Sequence, residues 1–121
     1  MVPLPNLIKH ATVAIFREGG ITAKTQKDKF RQALLIARSR MAQYGFVILG
    51  GEKVTDPLHL TPKGKKREQK HRREGRAKSV LFDTLYEKYD IDGSKARAKK
   101  ELEKAAERAL EASPSGDERK S

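Results

Sequence analysis

Apolar residues recur at helical spacing along most of the chain. Leu7, Ile8, Ala11, Ala14 and Ile15 mark one face of a first helix. Asn6, just after Pro5, is placed to cap it. Glu18-Gly19-Gly20 ends it, because glycine tolerates the left-handed backbone beyond a helix terminus. Ile21 to Lys24 reads as a short strand or a turn.

A longer helix then runs from Thr22 or Thr25 to about Tyr44. Phe30, Leu34, Ala37, Met41 and Tyr44 share one face, widened by Ala33 and Ile36. Gly45 is its natural C-terminal stop and opens into Phe46-Val47-Ile48-Leu49, a β-branched and aromatic run that predicts a strand. Gly50-Gly51-Glu52-Lys53 predicts a turn, and Val54 to Leu60 a return strand, giving a small antiparallel hairpin. Thr61-Pro62 is a helix start, a hydroxyl capper with proline where a missing N–H costs little.

The helix from Pro62 to about Arg73 has Gly64 within it and Gly75 just beyond, both weakening it. Arg76 to Tyr89 is helical again, with Val80, Leu81, Leu85, Tyr86 and Tyr89 apolar. Asp90-Ile91-Asp92-Gly93 breaks it. Ser94 caps a last helix to about Ala112, whose seam of Leu102, Ala106 and Leu110 is thin. That seam suits pairing with its copy in a homodimer, folding back on Val80, Leu81 and Leu85, or fraying into solvent. Residues 113–121, with Pro114 and Gly116, read as a disordered tail. The fold class is therefore mainly α with a small antiparallel β-hairpin. The division is 1–78 as a nucleic-acid-binding domain, 79–112 as a helical extension and 113–121 as the tail.

Charge changes this picture most. The chain of 121 residues carries a net charge of +11. Residues 61–78 alone hold nine Lys/Arg against two Asp/Glu, so more than half of the excess lies in one segment. Clustered cations attract a polyphosphate backbone and release its counterions. Lys63, Lys65, Lys66, Arg67, Lys70, Arg72, Arg73, Arg76 and Lys78 are the candidates for such contacts, the alternative being a solvated helix face. On the long helix Lys24, Lys27, Arg31 and Arg38 fall close to one side, with Gln32 and Arg40 near them. Arg31, Gln32 and Arg38 suit base or phosphate contact, since Arg reads guanine edges and Gln reads adenine. Lys53 sits at the hairpin tip with Gly50 and Gly51, as a candidate minor-groove or backbone contact.

Other chemistry is thinly represented. With no Cys there are no disulfides, thiolate metal sites or thiol nucleophiles. His10, His59 and His71 lie in different elements, and no metal site is expected; His71 reads as a further phosphate donor. Asp90-Ile91-Asp92-Gly93 resembles the start of a calcium loop, but Lys95-Ala96-Arg97 and the early Gly93 spoil it. No phosphate-cradling glycine loop with Lys-Ser/Thr and no nucleophile–His–carboxylate set is present, so neither enzyme activity nor a cofactor is expected. No run approaches a membrane span, and the start lacks a secretory pattern, which points to a cytoplasmic, nucleoid-associated protein.

The order of helix, long helix, Tyr44-Gly45-Phe46-Val47-Ile48, hairpin, Leu60-Thr61-Pro62-Lys63-Gly64 and basic helix resembles the winged-helix domains of MarR-like and PadR-like regulators. The resemblance covers about residues 6–75. It implies a winged helix-turn-helix with a C-terminal helical extension that binds duplex DNA. Such a protein acts as a transcription regulator or as a plasmid, phage or chromosome accessory factor. In that scheme the long helix enters the major groove and the hairpin meets the adjacent backbone. One departure stands out: Ile21 to Gln26 is the only room for the short helix that precedes a recognition helix, so it is a single turn or has merged with its neighbour. RNA binding within a ribosomal or other ribonucleoprotein particle, and a protein-interaction adaptor with an acidic partner, are the alternatives.

Overall fold

Helix α1, Asn6–Glu18, packs on α2, Gln26–Gln43. The computed structural model describes residues 4–112, and the chain divides into two units after Ile91. In the first unit, strands β1 (Val47–Leu49) and β2 (Leu58–Leu60) form the hairpin. Helices α3 (Pro62–Glu74) and α4 (Arg76–Lys88) follow. The second unit holds α5, Ser94–Ala112. The fold is mainly α with a small antiparallel hairpin, as the pattern predicts. Among the described residues no helix is long and apolar enough to cross a membrane. The tail expected at 113–121 lies outside the described residues.

Helix α2 is bounded as its sequence dictates. The Thr25 hydroxyl accepts the Asp28 N–H at 3.0 Å, satisfying one unpaired donor of the first turn. At its other end Gly45 takes φ 78°, Gly45 N–H donates to Ala42 and Phe46 N–H reaches back to Met41 at 2.9 Å. This paired arrangement turns the chain into β1 and suits glycine at the left-handed position. Between α1 and α2, residues 19–25 contain no helical turn, so the short helix expected of a helix-turn-helix is not formed there. Gly19 and Gly20 both hold positive φ, which takes the chain out of the right-handed helical region just where that helix would begin.

The core joins Leu7, Ile8 and Val13 of α1 to Phe30 and Leu34 of α2, Val47 of β1 and Phe82 of α4. Phe30 sits at its centre, 5.4 Å from both Phe16 and Phe82 and 5.9 Å from Tyr89, by ring centroids. Phe82 anchors α4 to this cluster, three, four and seven residues before Leu85, Tyr86 and Tyr89 and so on the same helix face. With Phe82 and Ile91 both buried there, the first unit extends to Ile91 and not to residue 78.

The hairpin pairs Val47 with Leu60, Ile48 with His59 and Leu49 with Leu58. The return strand is shorter than expected. Val54 leaves the strand direction and enters the core, and Asp56 closes a turn by accepting the Lys53 N–H at 2.9 Å. In the second unit, α5 has the expected bounds, with Asp92 Oδ1 accepting the Ser94 N–H at 3.0 Å. Ser94 is thus the first helical residue and not the cap. Leu102 and Leu110 are exposed.

Candidate nucleic-acid interface

Helix α3 contains no Ala, Val, Ile, Leu, Met or Phe, yet it is fixed in place. Hydrophobic burial, the usual anchor of a helix, contributes almost nothing here. The residues that face inward are Gly64, Glu68, His71 and, at the C-cap, Gly75, at steps of four, three and four. Each makes a specific contact. A Cβ on Gly64 would overlap the Phe46 carbonyl oxygen, so only glycine lets the helix approach β1 this closely. The glycine that weakens the helix locally is what seats it in the fold.

Glu68 is 6% exposed and accepts the backbone N–H groups of Asn6 at 2.7 Å and Leu7 at 2.9 Å. These are the first N–H groups of α1, whose N-cap is Pro5 and which has no cap from its own side chains. The carboxylate therefore caps α1 from another helix, with its charge at the positive end of the helix dipole. Asn6, expected to do this, instead accepts the Ser79 hydroxyl through Oδ1 at 3.0 Å.

His10 and His71 meet edge to face, with ring centroids 4.6 Å apart. His10 Nε2 lies 2.8 Å from the Gly75 carbonyl, which only accepts, so Nε2 carries the proton. Burial pushes both imidazoles below their usual pKa; the Gly75 bond opposes this at His10, and the neighbouring His10 adds to it at His71. His71 is half-buried, and burial favours its neutral form, which weakens the case for it as a phosphate donor. Among the described residues no third ligand joins the two as a metal site.

With Glu68 turned inward and its other acidic residue, Glu74, exposed at the last position, α3 presents Lys63, Lys65, Lys66, Arg67, Lys70, Arg72 and Arg73 outward, all exposed. Arg76 and Lys78 continue this surface onto the exposed start of α4. Among the described residues none of these cations is in an ion pair. Lys63 donates to the Tyr44 carbonyl at 2.9 Å, and Lys63 and Arg67 lie 5.1 and 5.8 Å from the Phe46 ring centre. This cationic surface thus adjoins the C-terminal end of α2.

The α2 candidates divide. Lys24, Lys27, Arg31 and Gln32 are exposed, but at the other end. Lys27 lies about 25 Å along the helix from Tyr44, at 1.5 Å per residue. They form a second cluster, apart from α3. Lys53 is exposed on the hairpin loop, which is folded down and not a free tip.

Arg38 is corrected outright. It is 1% exposed and donates to the Asp56 carbonyl at 2.9 Å and the Gly51 carbonyl at 3.2 Å. Burial lowers its pKa, with Asp56 opposing, and a guanidinium keeps its proton under such a shift. Its fork clips the hairpin loop onto α2, so it cannot meet a base or a phosphate. Tyr44, expected on the buried stripe, is 54% exposed, because the chain turns away at Gly45. Compared with known proteins, the chain matches no family model, no curated protein and no solved structure.

Proposed function

We propose that this chain binds nucleic acid through the outer surface of α3 and the start of α4, with duplex DNA as the target. One observation carries the reading: a helix with seven Lys/Arg in thirteen residues is held by polar contacts that leave all seven side chains outward and out of ion pairs. A helix kept solely for solubility has no need of so uniform a sign, and carboxylates commonly intersperse with lysines on solvated faces. Here the inward turn of Glu68 removes the one carboxylate that would have neutralised the middle of the face. The spacing of a rigid helix suits the regular phosphates along one groove edge.

The Lys24, Lys27 and Arg31 cluster, at the N-terminal end of α2, suits a second contact on the same duplex, with Gln32 beside it. A nucleoid-associated setting in the cytoplasm and a role in transcription regulation or chromosome or plasmid maintenance accord with such binding. The winged-helix resemblance supports the same reading through the hairpin and the Leu60-to-Gly64 turn.

The test is a salt titration of binding to a fluorescent duplex. Affinity should fall steeply with salt, and K65A/K66A/R67A should lower the slope of log K against log salt by about 2–3, one for each phosphate that is no longer neutralised. An unchanged slope in the triple variant rejects α3 as the binding surface.

A further inference from the structure

An open groove of about 840 Å³ runs beside α3, walled by α1, the C-terminal end of α2 and the α3–α4 junction. Its lining is divided by chemistry. Ala11, Ala14, Met41 and Tyr44 supply an apolar floor, with Tyr44 the most exposed of them. Lys63, Arg67 and Lys78 supply a cationic rim, and these same three belong to the proposed phosphate-binding surface. Glu74 is the one carboxylate in the lining.

We infer that this groove receives an unpaired base of a DNA strand, stacked on Tyr44, while the strand's phosphates lie on α3. The inference rests on the nucleic-acid reading above and deepens it. A flat ring on an exposed aromatic side chain, next to cations spaced for the attached phosphates, is the arrangement by which proteins hold unstacked bases. Phe46 does not serve as the platform, since Lys63 and Arg67 already approach its ring. The Tyr44 ring meets the Phe46 ring edge to face at 6.1 Å between centroids, and among the described residues no cation lies over it. Glu74 argues against a wholly acidic ligand and for a base, whose amino and ring N–H groups a carboxylate accepts. The volume exceeds that of one base and leaves room for the sugar.

The experiment compares a fully paired DNA hairpin with the same hairpin carrying one bulged 2-aminopurine. The bulged hairpin should bind roughly tenfold more tightly, within the range of base–aromatic stacking, and its fluorescence should be quenched on binding. Y44A should abolish both the preference and the quenching, and Y44F should restore them. K65A/K66A should weaken both hairpins and keep their ratio. Equal affinity for the two hairpins, or quenching that survives Y44A, overturns the inference while leaving phosphate binding by α3 standing. Tighter binding of the same bulged hairpin made of RNA overturns the assignment to DNA. So does a glutamate-rich helical peptide that shifts the NMR methyl signals of Ala11, Ala14 and Met41 when the bulged DNA does not. Failure of every oligonucleotide to bind overturns both readings.

Discussion

The Glu68 carboxylate accepts the backbone N–H of Leu7 at 2.9 Å across 61 residues of sequence. This hydrogen bond, with its partner at Asn6, couples the start of α1 to the middle of the cationic helix. It ties the core of the protein to the proposed interface through one side chain.

Removing that side chain tests the coupling. E68A leaves two helix-end donors without an acceptor, one of them buried, and should destabilise the protein by about 1–3 kcal/mol in urea unfolding. E68Q keeps an acceptor but loses the charge at the helix end, and should cost less. A stability within about 0.5 kcal/mol of wild type in E68A would show that the cap is dispensable.

Arg38 yields a contrast between fold and binding. R38M should destabilise by roughly 2–4 kcal/mol, because the Asp56 and Gly51 carbonyls are both left without their donor. R38K should recover part of this, as one ammonium replaces a two-pronged fork. Measured on folded protein, the salt slope of DNA binding should not change in R38M, which removes the charge. A slope lowered by about 1 would place Arg38 on a phosphate after all.

Gly64 is where local propensity and tertiary fit disagree. Alanine in a helix is favoured over glycine by about 1 kcal/mol. At this position its Cβ would overlap the Phe46 carbonyl oxygen, a backbone atom that cannot swing aside. G64A should therefore lower the melting temperature, whereas Q69A, on the exposed side of the same helix, should leave it close to wild type. A G64A protein as stable as wild type would mean that α3 is not seated on β1.

The histidine pair sets an acid sensitivity. Both imidazoles have folded-state pKa values below the ordinary 6.5, so between the two values the unfolded chain binds more protons. Their contribution to stability is complete above about pH 6.5 and declines as pH falls through that value toward the folded-state pKa. The melting temperature should fall between pH 7.5 and 5.5, and H71Q should flatten that fall. An identical pH profile in H71Q would assign the acid response to other groups.

Much of the fold was legible along the chain. Thr25, Gly45, Thr61-Pro62 and the span of α5 all mark boundaries by local chemistry: a hydroxyl that caps, a glycine that turns, a proline that starts a helix. The density of positive charge in residues 61–78 is likewise a property of order alone. Packing decided the rest. Arg38 looked like a surface cation because its spacing placed it near Lys24, Lys27 and Arg31, and the folded-down hairpin buried it. Glu68 drew no notice among the cations around it, and His10 and His71 lay in different elements, until α3 packed on α1. Short-range periodicity and end signals act over a few residues and can be read from them. A buried polar group takes its role from a partner that the chain brings back from tens of residues away, and no spacing in the sequence encodes that distance.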